Sequence, residues 1–441
     1  MKIDLTYDYL VRHIVPGPQS LSWFVPIILL PIALLIPRSV LSRWQNIAIF
    51  VPVIVGSTIH AWIAMGSIDV PTMDILLWAL FLLVFKDPWT EFAQLKPNAQ
   101  ASNTTVQHTK QQHDPKPTPG PTNNNSYTST PYPPTLRARL PWTLNLLTSL
   151  TLSNWHISHP SHDKHQPRPP ASPTRTAFLS HTLFHALLAY ATLDLTSALT
   201  TTDPYFTSPS APLTSPHPFH HLPLPSPILR PTLIALQSHA LISSLLPLPS
   251  LALLPTPLSP HAQPPYFGPA SALLSRGLAG FWGAYWHQTM RWVVSGPGVA
   301  LAEAAGWERG SWRRRAVVVA SAFACSGVVH AGVVPPEPEP VGGGRGVWGL
   351  RGCVVGFFGV QGVGVLVEDA VRGMGWGLRG WKRGVVSLGW LAGWFCVTLP
   401  LLGEVGRGLG WWRGWLVPVS FWRGLRGEGW VAWGFLRERW D

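Results

Sequence analysis

The sequence predicts an all-α, polytopic integral membrane protein with about seven to nine transmembrane helices and Pro-rich disordered loops. Charged residues make up only 12% of the 441-residue chain, against about 25% in a typical soluble domain. The chain also holds 24 tryptophans, a residue type that anchors helix ends at the membrane interface. Apolar segments alternate with polar, proline-rich ones, so the mean hydropathy of +0.17 understates how apolar the former are.

Apolar runs of membrane-spanning length occur along the whole chain. The first, LSWFVPIILLPIALLIP, is closed by Arg38. The candidate spans cover 21–37, 47–66, 71–86, 176–200, 229–254, 316–334, 346–370 and 385–403, followed by an amphipathic or spanning piece at 410–425. Sequence repeats of the kind that build solenoids are not visible, so these segments are interpreted as separate helices.

Composition divides the chain into five parts. They are N-terminal transmembrane helices (1–95), a disordered loop (96–140), transmembrane helices with Pro/His-rich loops (141–264), a core that carries the motifs described below (265–370), and C-terminal transmembrane or amphipathic helices (371–441). The 96–140 loop has almost no aliphatic side chains and cannot bury enough apolar surface to offset its ordering entropy. Its glycosylation sequons at Asn103 and Asn124 matter only if the loop faces the lumen.

Charge and cysteine usage exclude several classes of protein. The net charge is +12, but the basic residues form short clusters between apolar segments, as at 313–315 and 382–383. Such clusters are typical of cytosolic loops, and they do not form the continuous basic stripe of a nucleic-acid-binding protein. The three cysteines lie in apolar stretches without metal-binding spacing, so neither disulfides nor a metal site is expected.

The segment FWGAYWHQTMR (281–291) combines aromatic, imidazole, amide and guanidinium groups. If it is helical, Trp282 and Trp286 share one face, and His287 and Arg291 share another, because each pair is four residues apart. The second face suits an anionic ligand, since Arg binds phosphate with two hydrogen bonds. The alternative is an interfacial helix with Trp anchors and an Arg that extends to water.

A second motif, FACSGVVH (323–330), places His330 at the end of an apolar run of small residues. Small residues such as Ser326 allow helices to approach closely in a membrane. A neutral imidazole in a site without water is a competent general base. The alternative is a histidine that only hydrogen-bonds to a neighbouring helix.

A third motif, FFGVQGVGVLVED (357–369), interrupts an apolar helix with Gln361 and Glu368. These two residues are seven apart and therefore lie on the same helix face. Glu368 is expected to pair with Arg291 or to orient His287. The alternative is that Glu368 marks the interfacial end of the helix.

Taken together, the three motifs resemble those of one family. FGPASALLSRGLAGFWGAYWHQTMR, FACSGVVH and FFGVQGVGVLVED are similar, in order and spacing, to motifs of the fungal and plant wax synthases. These form a branch of the membrane-bound O-acyltransferase superfamily. The resemblance covers about 265–370 and departs from the family pattern at Leu278-Ala279-Gly280. It implies a wax synthase-like catalytic core in which His330 is the catalytic base and His287 the second polar catalytic residue.

The implied reaction is acyl transfer from acyl-CoA to the hydroxyl of a lipophilic alcohol, either a long-chain alcohol or a secondary metabolite such as a terpenoid. Arg291 and Gln288 are expected to bind the acyl-CoA, and Trp282 and Trp286 to line a channel. The predicted supporting residues are Ser326, Gln361 and Glu368. The only co-substrate expected is acyl-CoA, with no bound cofactor and no metal.

The expected surroundings are membrane lipids, with the endoplasmic reticulum as the location and no nucleic acid as a partner. Two alternatives remain open. One is a polytopic transporter in which His60, Asp194, His330 and Glu368 form a proton relay. The other is a catalytically inactive membrane relative. The acceptor alcohol, the donor chain length and the oligomeric state are not specified by these patterns.

Overall fold

A computed structural model describes residues 21–65, 70–97, 127–149, 151–152, 154–157, 175–208, 210–219, 224–248, 267–335, 346–374 and 380–433. Most of these residues are helical. The helices are α1 Phe24–Leu35, α2 Arg43–Met65, α3 Val70–Leu80, α4 Pro88–Glu91, α5 Leu136–Thr148, α6 Arg175–Thr202, α7 Pro204–Thr207, α8 Ser226–Leu245, α9 Ser271–Gly280, α10 Arg291–Ala304, α11 Trp312–Ala331, α12 Val347–Gly373, α13 Gly380–Thr398, α14 Pro400–Gly408 and α15 Phe421–Leu425.

The predicted class, a mainly helical integral membrane protein, is confirmed. Within the described ranges, four helical stretches are long and apolar enough to cross a membrane. They are Arg43–Ile63, Thr176–Thr202, Val347–Gly373 and Gly380–Gly408. These coincide with four predicted spans. Two further predicted spans, 21–37 and 71–86, correspond to the shorter apolar helices Phe24–Leu35 and Val70–Phe85, the latter being α3 continued by a π-helical turn. The total of seven to nine spans stays a prediction.

The predicted amphipathic or spanning piece at 410–425 is wrong. This stretch contains a 3-10 turn at Trp411–Arg413 and the five-residue helix α15. Gly410 has a left-handed backbone with φ of 72°, and Pro418 follows in a non-helical stretch. Both features interrupt a helix, because glycine favours turns and proline lacks the backbone donor.

A small antiparallel sheet was not predicted. Its strands are β1 Phe92–Pro97, β2 Tyr127–Thr130 and β3 Trp155–Ile157, in the order β2-β1-β3. The register pairs Leu95 with Ser129 and Ala93 with His156. The sheet packs against the N-terminal helices, where Phe92 and Trp155 are buried in the same apolar cluster as α1–α3.

The predicted disordered loop at 96–140 is therefore wrong at both ends, since β1 ends inside it and β2 and α5 begin inside it. Aromatic contacts explain the order. The Tyr132 hydroxyl donates a hydrogen bond to the Leu34 carbonyl at 2.9 Å, and the Tyr132 ring packs edge-on against Trp142. The prediction rested on the average composition of the segment, in which these few aromatic residues carry little weight. Residues 98–126, with both sequons, lie outside the described ranges.

Helix α11 lies between α10 and α12 and contacts both closely. A side-chain Cβ at Gly298 of α10 would lie 2.8 Å from the Val318 Cα of α11. At Gly327 of α11, the Val355 Cα of α12 would be 3.3 Å away. Because these two glycines have no side chains, α11 can lie close to both α10 and α12, as expected for small-residue packing in membranes. This packing fixes the position of the end of α11, where His330 lies.

A buried ion pair links Asp203, just before α7, to Arg230 of α8. Arg230 of α8 donates two hydrogen bonds to Asp203, at 2.9 Å and 2.8 Å, and both side chains are 0% exposed. Asp203 also caps α7 by accepting from the Tyr205 backbone N–H. The Tyr205 ring lies against both Arg230 and Arg407. This network joins α7, α8 and α14.

Candidate active site

His330 lies in the last turn of α11, and its hydrogen bond specifies its tautomer. Its Nδ1 is 2.7 Å from the Ser326 carbonyl oxygen. A carbonyl oxygen only accepts, so Nδ1 carries the proton and Nε2 of the neutral ring keeps its lone pair. The imidazole lies 4.4 Å from the Phe358 ring of α12, measured between centroids. The geometry therefore supports a proton-accepting Nε2 in an apolar setting.

Ser326 supports His330 through its backbone carbonyl. The sequence predicted a supporting role for this residue on the basis of its small size. Its neighbour Gly327 provides the close approach to α12. The two residues thus explain why this turn of α11 holds a histidine against α12.

The predicted continuous helix over 281–291 is wrong. Phe281–Tyr285 is a π-helical turn, Gln288–Met290 is a 3-10 turn, and α10 starts at Arg291. Between them the backbone is extended, with ψ of 151° at Trp286 and 120° at His287. The predicted faces, which assume a regular four-residue spacing, therefore do not exist.

Backbone hydrogen bonds account for this break. The Trp286 N–H donates to the Phe281 carbonyl at 2.7 Å, five residues back, as in a π-helical turn. The Gly268 N–H donates to the Tyr285 carbonyl at 2.8 Å. An added Cβ at Gly268 would lie 1.8 Å from the Ala284 carbonyl oxygen, so only glycine fits this approach.

His287 lies in the extended break, outside the candidate membrane spans. Its Nδ1 is 3.1 Å from the Thr289 hydroxyl oxygen. Burial lowers the pKa of His287 to about 3, with the neighbouring His330 imidazole as a second cause. His287 is therefore neutral at physiological pH, and the structure brings the two predicted catalytic histidines into one region.

The two tryptophans predicted to line one channel contact each other edge-on, with ring centroids 6.1 Å apart, and each has further aromatic neighbours. Trp282 packs against Phe323 and Phe358, with centroids 5.6 Å and 5.9 Å away. Trp286 packs against Phe281 and Phe267, at 5.1 Å and 5.5 Å. Only Trp282 thus shares a contact, Phe358, with His330.

Gln361 is fully buried and connects three helical segments. Its Oε1 accepts from the Trp282 indole N–H at 3.3 Å, and its Nε2 donates to the Thr398 hydroxyl at 2.9 Å. Thr398 belongs to α13. The amide therefore holds the Trp282 indole in place beside Phe358, and its supporting role in catalysis stays a prediction.

The expected pairing of Glu368 with Arg291 or His287 is wrong. Glu368 instead accepts from the Ala279 backbone N–H at 2.8 Å and forms an ion pair with Arg372. Its carboxylate is needed there because α9 is interrupted just before Ala279. Gln361 and Glu368 do share a face, as predicted, since both contact the 278–282 segment.

Arg291 and Gln288 lie side by side. The Arg291 Nη1 donates to the Gln288 Oε1 at 3.5 Å, and the Gln288 amide donates to the Trp286 carbonyl. Arg291 has an exposed side, yet desolvation by the surrounding chain, together with the charges of Arg276 and Arg315, lowers the pKa of its guanidinium. Sequence reasoning missed Arg276, although it lies within the first quoted motif. Three cationic side chains therefore share one region.

Other features of the described residues bear on alternative functions. They contain no group of three or more His, Cys, Asp and Glu side chains arranged to hold a metal ion. A cavity of about 110 Å³ lies between the 81–85 turn and α10, but none of its lining residues is a predicted site residue.

The residues of the alternative proton relay have separate partners. Asp194 accepts from the Ser420 hydroxyl and from the Trp422 backbone N–H. His60 lies 2.6 Å from the Ser22 hydroxyl. Together with the Ala279 contact of Glu368, these bonds place the relay groups in three unconnected environments. This arrangement disfavours a relay.

Comparison with known proteins identifies the region that carries the site. Residues 263–337, which include His287, Arg291 and His330, match the Membrane bound O-acyl transferase family. The resemblance to that superfamily drawn from the motifs is thereby confirmed, and the His287 and His330 motifs both fall inside the matched segment.

Fungal acetyltransferases are similar to part of this chain, which spans less than half of their own length. Acetyltransferase TRI7 of Fusarium sporotrichioides is 29% identical over 37% of the chain and 38% of its own length. Acetyltransferase ataH of Aspergillus terreus is 29% identical over 29% of the chain and 41% of its own length. Acetyltransferase spyB of Aspergillus fumigatus is 32% identical over 26% of the chain and 18% of its own length. No solved structure matches.

Proposed function

We propose that this protein transfers an acyl group from acyl-CoA to the hydroxyl of a lipophilic alcohol, within the endoplasmic reticulum membrane. The observation that carries the proposal is His330, whose Nδ1 donates to the Ser326 carbonyl, so that Nε2 is the proton-accepting nitrogen. This histidine lies inside the segment that matches the acyltransferase family. The similarity to fungal acetyltransferases makes acetyl-CoA the first donor to test. The acceptor is proposed to be a long-chain alcohol or a secondary metabolite such as a terpenoid.

The proposed step balances without a covalent enzyme intermediate. The alcohol oxygen attacks the thioester carbonyl carbon while the His330 Nε2 takes the hydroxyl proton. The C–S bond then breaks, and the imidazolium returns the proton to the departing sulfur. The products are an ester and free CoA. No nucleophilic Ser or Cys is required.

The surrounding residues are assigned complementary roles. His287 is neutral and lies close to His330, so it can orient the acyl donor or donate a hydrogen bond to the developing oxyanion. Arg291 is proposed to bind the phosphates of CoA with Gln288 beside it, because guanidinium groups bind phosphate strongly. Trp282, held by Gln361, supplies an apolar wall that helps to exclude water from the thioester.

The test is ester formation by microsomes that contain the wild type, His330→Ala or His60→Ala. Labelled acetyl-CoA and palmitoyl-CoA are offered with a panel of lipophilic alcohols. We expect ester from the wild type and from His60→Ala, and a loss of at least about 100-fold for His330→Ala, as for other general bases. Equal activity of His330→Ala and wild type would refute the catalytic assignment, and equal loss in both variants would favour the relay.

A further inference from the structure

His239 of α8 contacts the site from a helix that carries none of the three motifs. Its Nε2 lies 3.2 Å from the Tyr285 hydroxyl oxygen, and its Nδ1 lies 3.4 Å from the Ser243 hydroxyl oxygen. The imidazole and phenol planes are almost parallel, at 13°. Both ring nitrogens are thus engaged, so this side chain is suited to hold another residue in place.

Tyr285 stands at the point where the site segment changes direction. It is the last residue of the π-helical turn and precedes the extended Trp286 and His287. Its backbone carbonyl is fixed by the Gly268 N–H at 2.8 Å, and its hydroxyl by His239. One residue therefore anchors the segment through its main chain and its side chain, two positions before His287.

The contacts around this pair form a continuous aromatic layer. The Phe267 ring lies 4.4 Å from His239 and 5.5 Å from Trp286, between centroids. Trp286 in turn lies 5.4 Å from His287. A phenylalanine at position 285 could make the same ring contacts, so the hydroxyl is what distinguishes tyrosine here. Its described partner is His239.

We propose that His239 and Tyr285 form a positioning pair that holds the turn bearing His287 against His330. The inference rests on the proposed acyl transfer for its catalytic consequence. His239 acts through Tyr285 and does not touch the reacting atoms. Loss of the hydrogen bond would let the 285–287 turn shift, and small shifts of catalytic groups lower kcat strongly.

The test compares Tyr285→Phe, His239→Leu, the double variant and His239→Gln in the acyl-transfer assay. Tyr190→Phe is the matched control, because the Tyr190 hydroxyl is also hydrogen-bonded away from the site, donating to the Val419 carbonyl at 2.6 Å and accepting from the Val419 N–H at 3.3 Å. We expect each single variant to lower kcat about tenfold with an unchanged KM for acyl-CoA. The double variant should be no worse than either single one, since both remove the same bond.

His239→Gln should recover most of the lost kcat, because its amide can replace the imidazole Nε2, and Tyr190→Phe should match the wild type. The proposal is overturned if Tyr285→Phe keeps wild-type kcat, or if the two single effects multiply in the double variant. Either result would mean that the hydrogen bond does not couple the two residues in catalysis.

A second readout separates this inference from the proposed function. Modification of His287 by diethylpyrocarbonate, followed by mass spectrometry of the detergent-solubilised protein, needs no activity. We expect faster modification in Tyr285→Phe and His239→Leu than in wild type or Tyr190→Phe. If the wild type forms no ester, the proposed function fails while this result still supports the pair. Unchanged labelling in both variants overturns the pair whatever the activity.

Discussion

The Glu368 carboxylate accepts a hydrogen bond of 2.8 Å from the backbone N–H of Ala279, which is 89 residues earlier in the chain. Helix α9 is broken just before Ala279, where Gly277 has φ of 48° and ψ of −121°. The break removes a normal helical acceptor, and the carboxylate replaces it. Glu368 thereby fixes the start of the segment that continues to Trp282 and His287.

Gly277→Ala should destabilise the protein. Residues other than glycine rarely adopt this backbone conformation, and forcing one there costs about 1–3 kcal/mol. The new Cβ would also lie 2.7 Å from the Glu368 Oε1. Gly356→Ala in α12 is the control, because nothing lies within 4 Å of its added Cβ. Thermal unfolding in detergent should show a lower midpoint for Gly277→Ala only, and equal midpoints would contradict the prediction.

Local periodicity was enough to predict some of this site. Gln361 and Glu368 were expected on one face because a seven-residue spacing is a property of a single helix. The break at Trp286–His287 could not be predicted in this way. It depends on Gly268 and His239, which contact the segment only after folding. His239 lies in no motif, so no sequence signal pointed to it.

In the fold as well, elements that depend on local sequence were predictable, whereas elements that depend on tertiary contacts were not. Long apolar runs predicted α2, α6, α12 and α13 well, because length and hydropathy suffice for such helices. The sheet was missed because its strands are only three to six residues long, too short for a sequence pattern to stand out, and are stabilised by buried aromatic side chains. Burial of two or three rings overrode the polar composition of the surrounding segment.

Asp203→Ala should be among the more destabilising single substitutions. It would leave the guanidinium of Arg230 buried without its carboxylate, which typically costs about 3–5 kcal/mol. The control is Glu428→Ala, because the Arg426–Glu428 pair is 3.7 Å long and its side chains are 49% and 47% exposed. Such a pair contributes less than about 1 kcal/mol. Denaturation in detergent should separate the two variants, and similar losses would refute this account.

Protonation of His287 should weaken the fold in acid. Its pKa is lowered from 6.5 to about 3 by burial, so below pH 6.5 the unfolded chain binds a proton that the folded chain excludes. The contribution of the neutral His287 to the free energy of unfolding is therefore fully present above pH 6.5, and it is lost as the pH drops toward 3. His287→Asn removes this contribution. Its thermal midpoint should fall less than that of wild type between pH 7.5 and pH 4.5, whereas parallel curves would contradict the burial of this imidazole.

Arg291→Ala should raise the KM for acyl-CoA about tenfold or more and change kcat less, because a phosphate contact far from the reacting atoms binds substrate and transition state alike. Arg291→Lys should have an intermediate KM, since an ammonium keeps the charge but not the two-pronged geometry. Arg137→Ala, at an exposed position at the start of α5, is the control and should behave as wild type. Initial rates over a range of acyl-CoA concentrations measure both constants. An unchanged KM in Arg291→Ala would show that this residue does not bind the donor. Arg276 and Arg315, whose charges act on Arg291, would then be the next residues to substitute.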